Sequence, residues 1–240
     1  MANPSASGAL AALLPAPVTV VVGHYGVGKT SFCLNLALRA AEAGFRTVLA
    51  DLDVVNPYFR ATEYRPLLEE AGVEVVAPVF SERGSNLDVP SLNGAVVPAI
   101  QAAQAAPETV RLIIDAGGDD AGATALGRFA PLIASAPYQM IYVVNGRRLL
   151  TATEGEATTV LREIEAKARL SATAVVSNAH LKGDTTEDVV KTGLETALAV
   201  ARASGLPLAA YTVAPGLEMP SVVGAAMPFP LTTTVRAPWE

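Results

Sequence analysis

Apolar runs bounded by polar or glycine-rich breaks recur along the chain, and between them apolar residues return at helical spacing. Val18-Thr19-Val20-Val21-Val22 is a nearly continuous apolar run, the pattern of a strand covered on both faces. Thr47 to Asp53, Val73 to Ala77, Val110 to Asp115, Tyr138 to Val144, Ala172 to Val176 and Leu208 to Val213 repeat it, which predicts seven strands. Helices are expected over Ser31 to Ala43, Arg60 to Ala71, Ala95 to Ala106 and Thr124 to Ser135. A further helix follows Thr153, which forms a capping box with Glu156, and another follows Asp184 and Glu187 and runs to Ser204. Gly44, Gly72 and Gly205 stand where helices stop. Strands alternating with helices at this spacing predict an α/β fold in three layers, a doubly wound, mostly parallel sheet with its functional residues at the strands' C-terminal ends.

Residues 1–17 read as a flexible leader and 18–240 as one domain. The stretch 214–240 carries Pro215, Pro220, Pro228, Pro230 and Pro238, which predicts an irregular tail. The 240 residues have a net charge of −6 and only 17% are charged, so no nucleic-acid footprint is expected. No apolar run reaches the roughly 18 residues of a membrane span, and the proline-broken tail is no amphipathic anchor, so no membrane partner is expected. One cysteine, Cys33, excludes a disulfide framework or a CxxC metal site within the chain. A cytoplasmic setting is the expectation.

Chemistry concentrates between the first strand and the first long helix. Gly23-His24-Tyr25-Gly26-Val27-Gly28-Lys29-Thr30 lies in the strand, glycine loop, helix context of a P-loop. Glycines let backbone N–H groups turn toward phosphate oxygens, and the helix N-terminus adds its positive end. Gly26, Val27, Gly28, Lys29, Thr30 and Ser31 are thus the candidate phosphate cradle, with a side chain at Gly28 expected to fall where phosphate lies. Lys29 is expected to reach the outer phosphates, and the Thr30 hydroxyl to ligate Mg²⁺. Asp115 closes an apolar strand and is followed by Gly117 and Gly118, the Walker B pattern of a metal-holding acid and a backbone amide at the γ-phosphate. Asp51 and Asp53 point the same way from an extended chain, one placed for the metal and the other for the attacking water.

Gly26 to Thr30, Asn35-Leu36-Ala37 and Val48 to Asp53 together resemble the MinD/ParA superfamily of P-loop ATPases, which includes the CobQ/CobB nucleotide-binding domains. The likeness covers the nucleotide core and little else. It implies ATP and Mg²⁺ as cofactors, Asp53 as the acid of hydrolysis, Asp115 as the Walker B acid and Asn178 as the reader of the adenine ring. It also implies a nucleotide-dependent switch acting on a protein partner, and a homodimer. The departure lies at His24 and Tyr25, where that superfamily carries the lysine of KGGxGKT that reaches the partner's phosphates. Arg60, Arg83, Arg147 and Arg148 border the expected site and are candidates for the missing charge. A guanine-reading NKxD is absent, since the chain has Asn178-Ala179-His180-Leu181. Two other functions stay open: a synthetase that activates a small carboxylate with ATP, as dethiobiotin synthetase does, and a module that binds nucleotide without turnover.

Overall fold

A computed structural model describes residues 4–52, 64–76, 91–117, 120–148, 150–181, 184–217 and 226–232. Among these residues, eight strands form one sheet in which every neighbouring pair is parallel. They are β1 (Val18–Val22), β2 (Arg46–Asp51), β3 (Val73–Val76), β4 (Val110–Asp115), β5 (Tyr138–Val144), β6 (Ala174–Ser177), β7 (Leu208–Val213) and β8 (Met227–Pro230), in the order β3-β2-β4-β1-β5-β6-β7-β8. From β1 the chain builds outward to β3, returns through β4, and then builds the other way from β5. The reversal flanks β1 with β4 and β5, and a doubly wound sheet opens its ligand crevice at that point.

The strands bury both faces. Val18, Val20, Val22, Ile114 and Tyr142 pack on one side beneath α4 (Ser91–Ala105), α5 (Asp120–Gly127), α6 (Ala130–Ile133), α7 (Glu154–Ala168) and α8 (Glu187–Ser204). Val21, Leu49, Ile113 and Ile141 pack on the other beneath α1 (Pro4–Leu13), α2 (Lys29–Glu42) and α3 (Arg65–Glu70). Three layers and a doubly wound parallel sheet are what the periodicity predicted.

Both stretches read as irregular contain regular structure, and they pack on each other. α1 places Ala9 and Leu13 in the core against β7 and β8. Gly8 allows close approach, since a Cβ on it would lie 3.0 Å from Met227 Cε. β8, with sequence Met-Pro-Phe-Pro, is an edge strand. Leu231 N donates to Val213 O at 2.9 Å, so the odd-numbered amides face β7 and the two prolines, which have no amide, face outward. Prolines that argued against a strand instead finish an edge that a further strand cannot extend.

Smaller departures have local causes. The helix expected over Thr124 to Ser135 is two, because Pro131 has no N–H to give to Gly127 O. α8 is capped by Thr186, whose hydroxyl accepts from Val189 N, rather than by Asp184. The capping box of Thr153 and Glu156 on α7 is present as read.

Candidate functional site

The loop after β1 turns back on itself through glycine. Gly26 and Gly28 adopt φ of 78° and 87°, conformations that side chains disfavour, and Gly28 is the N-cap of α2. Alternation of this kind around Val27 aims successive amides into one concavity, which is the geometry of an anion nest. Lys29, Thr30 and Ser31 open the helix and are buried. The Lys29 ammonium donates to His24 O at 3.3 Å. His24 Nδ1 lies 3.1 Å from Tyr25 O, and Tyr25 is exposed, so the two residues at the departure from the KGGxGKT pattern lie on the outer turn of the loop.

Two acids stand under this loop. Asp51 and Asp115 are Cα partners on adjacent strands, and Asp115 is in turn the partner of Val21. Parallel strands lie about 4.8 Å apart and matched residues project to the same face. That face is the one α2 covers, since Val21, Leu49 and Ile113 share it. Both carboxylates are almost wholly buried, at 2% and 1% exposure. The Cys33 thiol, four residues along α2 from Lys29, feels the whole group. It is pushed well above its ordinary value, first by burial and then by the charge of Asp115, with Asp51 raising it further and Lys29 pulling it down. Lys29, Asp51 and Asp115 therefore converge, as the sequence led one to expect. Asp53 and Gly118 lie outside the described residues.

Asn178 stands behind the P-loop. Its carboxamide is fully buried, Nδ2 donates to Val27 O at 2.7 Å and to Gly28 O at 3.3 Å, and Oδ1 accepts from the Thr212 hydroxyl at 2.8 Å. The side chain ties the loop after β6 to the P-loop from behind. Gly28 is corrected by the same contact. A Cβ there would meet Asn178 Nδ2 at 2.4 Å and His180 Nε2 at 3.1 Å, so the space it must leave free belongs to those side chains and not to phosphate.

Helix α8 presses this loop into place. Gly193 has no Cβ, and one would fall 1.9 Å from that of Ala179, between Asn178 and His180. Thr185 Oγ1 accepts from Leu181 N at 2.9 Å and closes the turn. Sequence reading missed Thr212 and Gly193, which carry no local signal: each matters only through a contact with a distant segment. Arg147 and Arg148 have exposed side chains, on a turn where Asn145 Oδ1 accepts from Arg147 N and Asn145 O from Arg148 N. Arg60 and Arg83 lie outside the described residues.

A parallel sheet with a glycine nest at its switch point and paired acids beneath it defines the P-loop NTPase fold. Solved structures of that fold resemble the chain. FtsY from Mycoplasma mycoides superposes with a TM-score of 0.51 at 19% identity, covering 80% of this chain and 58% of that one. Cell division protein FtsY from Thermotoga maritima gives 0.52 at 23%, with 80% and 59% covered. The 54 kDa signal recognition particle protein of Aeropyrum pernix K1, in complex with GDP, gives 0.54 at 16%, with 84% and 41% covered. The chain thus spans less than two thirds of the length of each. At these identities the likeness establishes the fold alone, and it does not extend to the MinD/ParA resemblance. No family model matches the chain, and no curated protein matches it.

Proposed function

We propose that the chain binds a Mg²⁺-nucleoside triphosphate at the P-loop, hydrolyses its γ-phosphate, and uses the difference between the two states to switch a protein partner. The observation that carries this reading is the convergence of Lys29 with the in-register pair Asp51 and Asp115 under a glycine nest. Phosphoryl transfer asks little covalent chemistry of a protein; it asks for positioned charge. The nest amides and Lys29 meet phosphate oxygens. The Thr30 hydroxyl, Asp51 and Asp115 are hard oxygen donors suited to Mg²⁺, and two buried carboxylates side by side are a fit place for a divalent cation. When bound, the metal supplies charge neutralisation at the phosphates. Asp53 is assigned to orient the attacking water, and the amide of Gly118 to sense the γ-phosphate.

ATP is the base reading, because the segment Asn178 to Leu181 offers no carboxylate to accept from a guanine edge. GTP is the second reading, favoured by the GDP complex of the Aeropyrum pernix neighbour. The test is phosphate release by the purified chain with ATP or GTP, with and without Mg²⁺, beside Lys29→Ala and Asp53→Ala. Hydrolysis of one nucleotide, tight binding lost in Lys29→Ala, and binding without turnover in Asp53→Ala are the expected results. Release only on adding a small carboxylic acid would replace the switch with a synthetase. Binding with no release under any condition would leave a nucleotide-dependent module without turnover.

A further inference from the structure

The carboxamide of Asn35, in the Asn35-Leu36-Ala37 run, plays no part in the chemistry above, yet it is one of the most enclosed polar groups of α2. Its Nδ2 donates to Ser31 O at 2.7 Å. Its Oδ1 accepts twice from one residue, from Thr232 N at 2.8 Å and from the Thr232 hydroxyl at 3.0 Å. In an α-helix, Ser31 O is also the acceptor for the Asn35 backbone N–H. The side chain therefore adds a second donor to the turn that carries Lys29 and Thr30. Asparagine inside a helix ordinarily competes with the backbone, and here a residue 197 positions away holds it in the supporting orientation.

Thr232 is itself anchored. Leu231 N donates to Val213 O, and the Phe229 ring meets Phe32 edge-on, with centroids 5.4 Å apart and planes at 63°. Phe32 and Asn35 are three apart on α2 and so lie on one side of the helix. An aromatic contact and a carboxamide contact thus fasten the end of β8 to the helix that begins at the P-loop.

The geometry points to Asn35 as a positioning residue for the first turn of α2, held in that role by Thr232, so that the chain leaving β8 is coupled to nucleotide binding. This rests on the nucleotide reading given above. Coupling of this kind is reciprocal: if Thr232 steadies the turn that bears Lys29 and Thr30, nucleotide on that turn steadies Thr232.

The test is backbone amide exchange on the full chain, without nucleotide and with Mg²⁺ and ATP or GTP, for wild type, Asn35→Ala, Thr232→Val and Thr232→Ser. Without nucleotide, Asn35→Ala and Thr232→Val speed exchange at the amides of Phe32 to Asn35 while those of β5 keep their rates, and Thr232→Ser, which keeps the hydroxyl, restores the wild-type pattern. With nucleotide, Leu231 and Thr232 gain protection in wild type but not in Asn35→Ala, whose nucleotide affinity falls about tenfold. Unchanged exchange in the first turn of α2 in both variants overturns the proposal. So does acceleration spread evenly over the core strands, which marks general destabilisation. A wild type that binds no nucleotide removes the functional reading, and with it the coupling to nucleotide, while the nucleotide-free exchange still decides whether Asn35 and Thr232 position the turn.

Discussion

Asn178 Nδ2 donates to Val27 O at 2.7 Å, joining two residues 151 positions apart at the back of the phosphate loop. The carboxamide uses both ends, since Oδ1 accepts from Thr212 on β7. Asn178→Ala leaves the Val27 carbonyl and the Thr212 hydroxyl without this partner in a buried place. The expected cost is about 2 kcal/mol, or about 4–8 °C in the unfolding midpoint. Because the strut supports the nest, nucleotide affinity falls as well. Calorimetric unfolding and nucleotide titration on the same variant check both, and an affinity loss without loss of stability would instead make Asn178 a base reader.

Gly122 makes a second prediction. A Cβ there would stand 2.3 Å from Gly117 Cα and 2.7 Å from its carbonyl carbon and oxygen, all backbone atoms with no rotamer by which to escape. Gly122→Ala must therefore push the start of α5 away from the residue that follows Ala116 at the end of β4. The stability cost is about 1–3 kcal/mol. Turnover is expected to fall more steeply than nucleotide affinity, because the phosphate cradle at residues 26–31 is untouched. Steady-state kinetics beside binding measurements separate the two effects.

What the sequence made legible follows from how locally each feature is encoded. β1, β4, β5 and β7 have the bounds read from their apolar runs, because a strand buried on both faces writes its full length in hydrophobicity. The capping box of α7 was equally plain, both partners lying within four residues. β8 was hidden because Pro228 and Pro230 are penalised inside a sheet, and only knowledge that the strand is an edge reverses that judgement. α1 was hidden because its pairing with β8 joins the two ends of the chain. In the site, Lys29, Asp51 and Asp115 could be placed from strand ends alone, whereas the task of Asn178 depends on what Val27 and Thr212 offer in space.

Alkaline pH is expected to loosen the fold partly through Cys33. Burial, then the Asp115 carboxylate, raises the folded thiol well above its ordinary value of 9.0. With the folded value above the unfolded one, the native state holds the proton longer. The contribution is whole below pH 9.0 and is lost as pH climbs from there through the folded value. Tyr142 and Tyr211, raised by burial, act in the same direction at higher pH. Cys33→Ala removes one proton from the linkage, so its stability falls less steeply above pH 9.0, by up to about 1.4 kcal/mol per pH unit. Denaturant titrations at a series of pH values measure the slope, and identical slopes in the two proteins would contradict the burial argument.

The register of Asp51 with Asp115 yields the sharpest separation of function from stability. Two carboxylates on neighbouring strands, facing one way and nearly without solvent, repel each other when both are ionised. Neutralising one removes repulsion that the nucleotide-free fold tolerates for the sake of the site. Asp115→Asn is therefore expected to raise the unfolding midpoint by a few degrees while reducing Mg²⁺-dependent hydrolysis about a hundredfold or more. Asp51→Asn should show the same signs. Millimolar Mg²⁺ alone should stabilise the wild type and have little effect on either variant, because the donors that attract it are then incomplete. Thermal unfolding with and without Mg²⁺, in the absence of nucleotide, is the measurement. If both substitutions lower the midpoint and the response to Mg²⁺ persists, the two acids serve the fold rather than the metal.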